Sequence, residues 1–121
     1  MYKLTKINER AFDYYPGLQR FKQHVEAHLS DHISLETAAT IAHMEKKYFS
    51  VFFHRKVGVT YTHWLTSVRI EKAESLIKTI DSSLTRIGGT VGFRDFRTFE
   101  RAFKKYTGLT PMKFKKLVRP S

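Results

Sequence analysis

Arg97, Glu100, Arg101 and Lys104 follow one another at intervals of three, one and three residues, the spacing that keeps side chains on one face of a helix. Each arginine on such a face can grip the O6 and N7 of a guanine, and the carboxylate can accept from the N4 amine of a cytosine. Glu100 can instead orient Arg97 or Arg101, and the sequence leaves both roles open. Upstream, KKYFSVFFHRK sets Tyr48, Phe49, Phe52 and Phe53 on one helical face and leaves Lys47, Ser50, Val51 and His54 on the other. That second polar face is milder, and its valine can meet a thymine methyl. Catalysis has no comparable set: there is no Gly-rich phosphate loop, no nucleophile motif and no pair of carboxylates on one face. An enzyme is not expected.

His24, His28 and His32 are spaced by four and would offer a metal two or three ligands on a continuous helix. Asp31 and Ser34 suggest that the helix ends before His32, and HVEAH lacks the His-Glu-x-x-His order of zinc proteases. The expectation is a polar helix face, with no metal and no cofactor. Tyr48, Phe49, Phe52, Phe53, Phe99 and Phe103 could be stacking platforms for single-stranded nucleic acid. Their periodicity assigns them to a core instead; Phe96, ahead of the helix proper, is the exception that can reach a ligand. The tail residues Lys113, Lys115, Lys116 and Arg119 contact phosphate or are merely solvated.

The elements that hold these faces occur twice. Ser34, Leu35, Ala39, Ala42 and Met44 align with Ser83, Leu84, Gly88, Val91 and Phe93 at an offset of 49, and Phe49, Phe53, Gly58 and Thr60 align with Phe99, Phe103, Gly108 and Thr110 at 50. A fixed internal period marks two copies of one supersecondary unit, here helix, turn, helix. Ser34, Ser83 and Asp95 are N-cap residues, and Gly58 and Gly108 close the second helix of each copy. A helix from about residue 17 to 29 precedes the first copy, and an uninterrupted amphipathic stretch from about 61 to 80 joins the two. Pro111 suits the first turn of a terminal helix with Phe114 and Leu117 inward. Residues 1–16 lack a period and read as an arm or linker; 17–58, 59–82 and 83–121 form the first subdomain, the connector, and the second subdomain with its basic tail.

Composition narrows the partner. The net charge is +11, which favours nucleic acid or an acidic membrane surface. Residues 83–121 hold 10 Lys and Arg against 2 Asp and Glu, so the charge is concentrated in the second copy. There is no cysteine, which excludes disulfides and Cys-ligated zinc and fits a reducing cytoplasm. No apolar run approaches the roughly 20 residues of a membrane span.

The run VGFRDFRTFERAFKKYTGLTP closely resembles the C-terminal signature of the AraC/XylS family of bacterial transcription regulators. ISLETAATIAHMEKKYFSVFFHRKVGVT and VRIEKAESLI match as well, so the likeness covers about residues 17–118. It implies an all-α domain of about seven helices, with two helix-turn-helix subdomains joined by a long connector helix, reading two successive major grooves of a bipartite promoter site. By position, the first recognition helix would show Lys46, Lys47, Ser50, Val51 and His54 to double-stranded DNA. The second would show Phe96, Arg97, Thr98, Glu100, Arg101 and Lys104. The resemblance further implies an activator that touches RNA polymerase and sits on DNA as a monomer unless a further domain dimerises it, in the cytoplasm and on the nucleoid.

Four residues depart from the family pattern. His43 and Glu45 occupy the places of a turn glycine and a Ser-like cap, and Gly88 with Gly89 replace an alanine and a larger residue, which suggests a locally flexible scaffold helix. The chain is either a stand-alone regulator or a fragment of a longer protein. An architectural nucleic-acid binder, or a module for an acidic protein or membrane, are the rival readings.

Overall fold

The computed structural model describes residues 7–120, and among them it contains eight helices and no strand. They are α1 (Arg10–Tyr14), α2 (Pro16–Ala27), α3 (Leu35–Ile41), α4 (Lys46–Val57), α5 (Tyr61–Thr79), α6 (Leu84–Thr90), α7 (Phe96–Thr107) and α8 (Pro111–Val118). The fold is all-α, with one helix more than the resemblance implies. The described residues form two compact units, one ending at Leu65 and the other starting at Thr66, so the division falls inside α5. No helix among them is long and apolar enough to cross a membrane.

In the first unit, the additional helix α1 lies in the stretch read as an arm. Five residues are too few to display a period, yet Ala11 and Phe12 are buried. Asn8, just ahead of it, donates its backbone N–H to the Val57 carbonyl at 2.8 Å and its side-chain amide to that of Lys56 at 3.1 Å. The end of α4 is thereby tied down by carbonyl capping. Pro16 takes the first position of α2, where no backbone N–H is needed. Leu18, Phe21 and Val25 give α2 its buried face, and the helix stops at Ala27, leaving His32 beyond it. His24 and His28 stack at 4.5 Å, and among the described residues no group of three or more His, Cys, Asp and Glu is placed to hold a metal.

The core of this unit is aromatic. Trp64, in the first turn of α5, meets Phe12 at 4.8 Å, Phe21 at 5.6 Å and Phe53 at 5.9 Å between ring centroids, and Phe21 meets Phe49 at 5.4 Å. Such pairs add about 0.5–1.5 kcal/mol each beyond the area they bury.

In the second unit, Ile70, Ala73 and Ile77 of α5 are buried, as are Leu84, Ile87, Val91, Phe99, Phe103, Tyr106 and Phe114. Phe99 sits 5.7 Å from Phe103, which sits 5.4 Å from Phe114. Leu117, expected inward, is 70% exposed. Helix α8 turns the Pro111, Phe114 and Val118 side inward, spaced by three and four, and Leu117 falls off that stripe. Arg119 likewise is not left to solvent: its guanidinium donates to the carbonyls of Ile77 and Ile80 and so caps the end of α5.

Gly88 explains one departure in the second copy. A Cβ there would lie 2.8 and 2.9 Å from two ring carbons of the buried Phe99, so the bare backbone lets α6 approach α7. Gly89 faces open space.

Candidate nucleic-acid interface

Helices α4 and α7 start from the same turn. After α3, the N–H of Met44 reaches the carbonyl of Ala39 at 2.9 Å and that of His43 reaches Thr40 at 3.1 Å. After α6, Phe93 reaches Gly88 at 3.0 Å and Gly92 reaches Gly89 at 3.1 Å. These are paired Schellman bonds, which need one residue in the left-handed region. Gly92 supplies it at φ 113°, and His43 supplies it at φ 61° despite its side chain. Arg20 reinforces the first turn, donating to the carbonyls of Ile41 and Ala42 at 3.2 Å each.

The next residues cap the helices. The Glu45 carboxylate accepts from the N–H groups of Lys47 and Tyr48, both at 3.0 Å, and the Asp95 carboxylate accepts from Thr98 at 2.8 Å. The one-residue difference between the offsets is therefore Arg94, inserted between the Schellman turn and the cap. Both carboxyls titrate below their ordinary values. For Glu45 the first cause is the Lys47 N–H, followed by that of Tyr48, with the Lys47 and Lys46 charges behind. For Asp95 it is the Thr98 N–H, then the Thr98 side chain, then the charges of Arg94 and Arg101. Gly58 and Gly108 close the two helices at φ 98° and 88°.

The outward faces contain most of the residues expected there. Lys46, Lys47, Val51 and His54 are exposed and Ser50 is half-buried, while Phe49, Phe53 and Val57 turn inward. Lys46 lies 3.7 Å from Glu36 of α3. Ser50, Val51 and His54, with Arg55 and Gly58, line one open depression of about 530 Å³. On α7, Arg97, Thr98, Arg101 and Lys104 are exposed and Glu100 is half-buried. Arg97, Glu100, Arg101 and Lys104 line a second depression of about 350 Å³ together with Thr110, the cap of α8. Phe96 is half-buried with its ring 6.0 Å from Phe99, so it belongs partly to the core.

Tyr48 corrects the aromatic reading. Assigned inward with its neighbours, it is 57% exposed in the first turn of α4. Its ring stacks on the half-buried Phe52 at 5.7 Å, which fixes it beside Lys47. The offset of 50 carries the signal that was missed, since Tyr48 aligns with Thr98 on the outward face of α7.

Two capped helices on equivalent turns, each with a polar outer face, can enter a DNA groove. A helix-turn-helix domain family matches residues 38–117. The arabinose operon regulatory protein of Salmonella typhimurium is 31% identical over 94 residues, covering 77% of this chain and 34% of that protein. The chain thus spans about a third of the length of such relatives. The C-terminal domain of AraT, a response regulator from Geobacillus stearothermophilus, superposes with TM-score 0.79 at 28% identity, covering 84% of this chain and 85% of that one. The DNA-binding domain of AdpA, a global transcriptional factor solved in complex with a target DNA, gives TM-score 0.78 at 25% identity, covering 85% of this chain and 96% of that one. With signature, fold and relatives in agreement, the chain belongs to the AraC family of transcription regulators and carries its helix-turn-helix DNA-binding domain rather than an enzyme.

Proposed function

We propose that this chain reads specific double-stranded DNA through α4 and α7, which enter successive major grooves of a bipartite promoter site, and that it activates transcription there. The observation that carries this reading is the exposed row of Arg97, Arg101 and Lys104 on a helix whose opposite side, Phe99, Phe103 and Tyr106, is buried. Those cations are exposed to solvent and stand at groove-reading spacing. Lys46, Lys47, Ser50, Val51 and His54 of α4 make the weaker reader, and Phe96, Thr98 and Glu100 complete the stronger one on α7. RNA polymerase is the partner for activation, and one chain occupies both half-sites, on the nucleoid. The known complex of AdpA with its target DNA supports the DNA reading by likeness.

The test is selection from a random duplex pool at fixed salt, followed by affinity measurements. A bipartite consensus is expected, with half-sites about one helical turn apart. Inserting about half a turn between them should abolish tight binding. If 6 to 10 phosphates are neutralised, affinity falls roughly 10³- to 10⁵-fold from 50 to 200 mM salt. Equal binding of selected and random duplexes would instead establish an architectural protein. Activation is checked by transcription from a template bearing the selected site with purified RNA polymerase, where no rise over the bare template refutes it.

A further inference from the structure

Glu100 has two cations at pairing spacing along the helix, Arg97 three residues before it and Lys104 four residues after it, with Arg101 adjacent in sequence. The Glu-to-Lys spacing of four, in this direction, is the favourable one for an ion pair. Yet Glu100 joins none of the ion pairs Lys22 with Glu9, His28 with Asp31 and Lys46 with Glu36, and among the described residues it has no ion-pair partner of its own. Glu100 is half-buried and lines the same depression as Arg97, Arg101 and Lys104, with its carboxylate in no ion pair. This speaks against the role of orienting an arginine.

Resting on the DNA reading proposed above, we infer that Glu100 makes the half-site of α7 require a cytosine, flanked by guanines for Arg97 and Arg101. A carboxylate is repelled by the phosphates, which leaves the base edges. In the major groove guanine offers O6 and N7 and thymine offers O4, all acceptors that oppose a carboxylate. Adenine sets its N6 donor beside the N7 acceptor, so the two carboxylate oxygens meet one attraction and one repulsion. Cytosine presents its N4 donor with no acceptor beside it on that edge. It is the one base this group fits without conflict. The first copy has Ser50 at the aligned position, a residue that accepts or donates, and imposes no such demand.

The test is duplex selection with the full chain as wild type, Glu100→Gln and Glu100→Ala, each confirmed folded by circular dichroism. The wild type should enrich cytosine at one position of one half-site, and changing that base should weaken binding about 5- to 150-fold. Glu100→Gln should move the preference at that position to adenine, whose N6 and N7 suit an amide. Glu100→Ala should flatten that position and leave the guanines intact. Loss of the guanine preferences in Glu100→Ala, with no cytosine position in the wild type, would restore the orienting role and overturn the inference while the DNA reading stands. A wild-type pool without any consensus overturns both.

Discussion

At an offset of 50, Lys47, Ser50, Val51 and His54 of α4 correspond to Arg97, Glu100, Arg101 and Lys104 of α7, whereas Phe49 and Phe53 correspond to Phe99 and Phe103. The buried pair is kept and all four outward residues differ. Caps and turns show the same economy: Ser34 and Ser83 both accept from the N–H three residues on, at 3.1 Å, and Gly58 and Gly108 take the same left-handed geometry. What packs is constrained by volume and by backbone satisfaction. What faces outward is free to acquire different partners. The second copy has three cations and one anion on its face; the first has Lys47 and a neutral remainder, with Lys46 beside Glu36. The two halves should therefore divide the work, the second anchoring and the first discriminating more weakly.

The largest expected effect is on binding. Replacing Arg97 or Arg101 with Ala should cost about 1–3 kcal/mol and relax one base position. Scrambling the half-site under α7 should cost more than scrambling the one under α4. Equal losses measured by titration of the two scrambled duplexes would end the division of labour.

Close packing gives the next contrast. Gly88, aligned with the buried Ala39, is itself buried and has the Phe99 ring within 3.0 Å of the place a Cβ would take, whereas Gly89 has nothing within 4 Å. Gly88→Ala should destabilise by about 1–3 kcal/mol, the range for overpacking, while Gly89→Ala, into open space on a helix, should stabilise by about 1 kcal/mol. Urea unfolding reads both. Opposite signs for adjacent glycines are the requirement, and a stabilising Gly88→Ala would refute the contact argument.

The turns differ by a similar amount. A left-handed backbone costs a residue with a Cβ about 1–2 kcal/mol, so Gly92→Ala should be destabilising by roughly that much and His43→Gly neutral or stabilising by up to about 1 kcal/mol, after the entropy of glycine in the unfolded chain. If His43→Gly instead destabilised, the imidazole would have a role that the turn geometry does not reveal.

These contrasts also show what was legible in the residues alone. The repeat, the Ser34, Ser83 and Asp95 caps and the closing glycines are local signals, each complete within a few residues, and the helices they bound lie where they point. The misses have physical causes. Helix α1 is stabilised by burying Phe12 against Trp64, 52 residues away, and five residues carry no period of their own. Tyr48 belongs to an aromatic stripe wider than the helix can bury, since the inward set is Phe49, Phe53 and Val57. Arg20 and Arg119 bind carbonyls 21 to 42 residues distant, and nothing in a sequence labels a carbonyl as unsatisfied. The outward faces were easier, because exposure at the core's complement follows from periodicity once the core is known.

The smallest effect concerns the caps and depends on pH. Glu45 and Asp95 both titrate below their ordinary values of 4.5 and 3.8 in the folded chain. A depressed folded value means that the ionised cap stabilises the fold fully above the unfolded value and that this contribution is lost as pH falls through the folded one. Melting temperature should therefore drop as pH falls below about 5, beyond the loss from other carboxylates. Asp95→Asn keeps a good cap and removes the titration, so it should flatten part of the acid slope with little change at pH 7; Glu45→Gln should do the same for the first copy. Salt separates the two sources of the shift, because the charges of Arg94 and Arg101 on Asp95 are screened while the Thr98 donors are not. An acid slope identical in wild type and both variants would mean that neither carboxylate stabilises its helix through its charge, and the caps would act by shape alone.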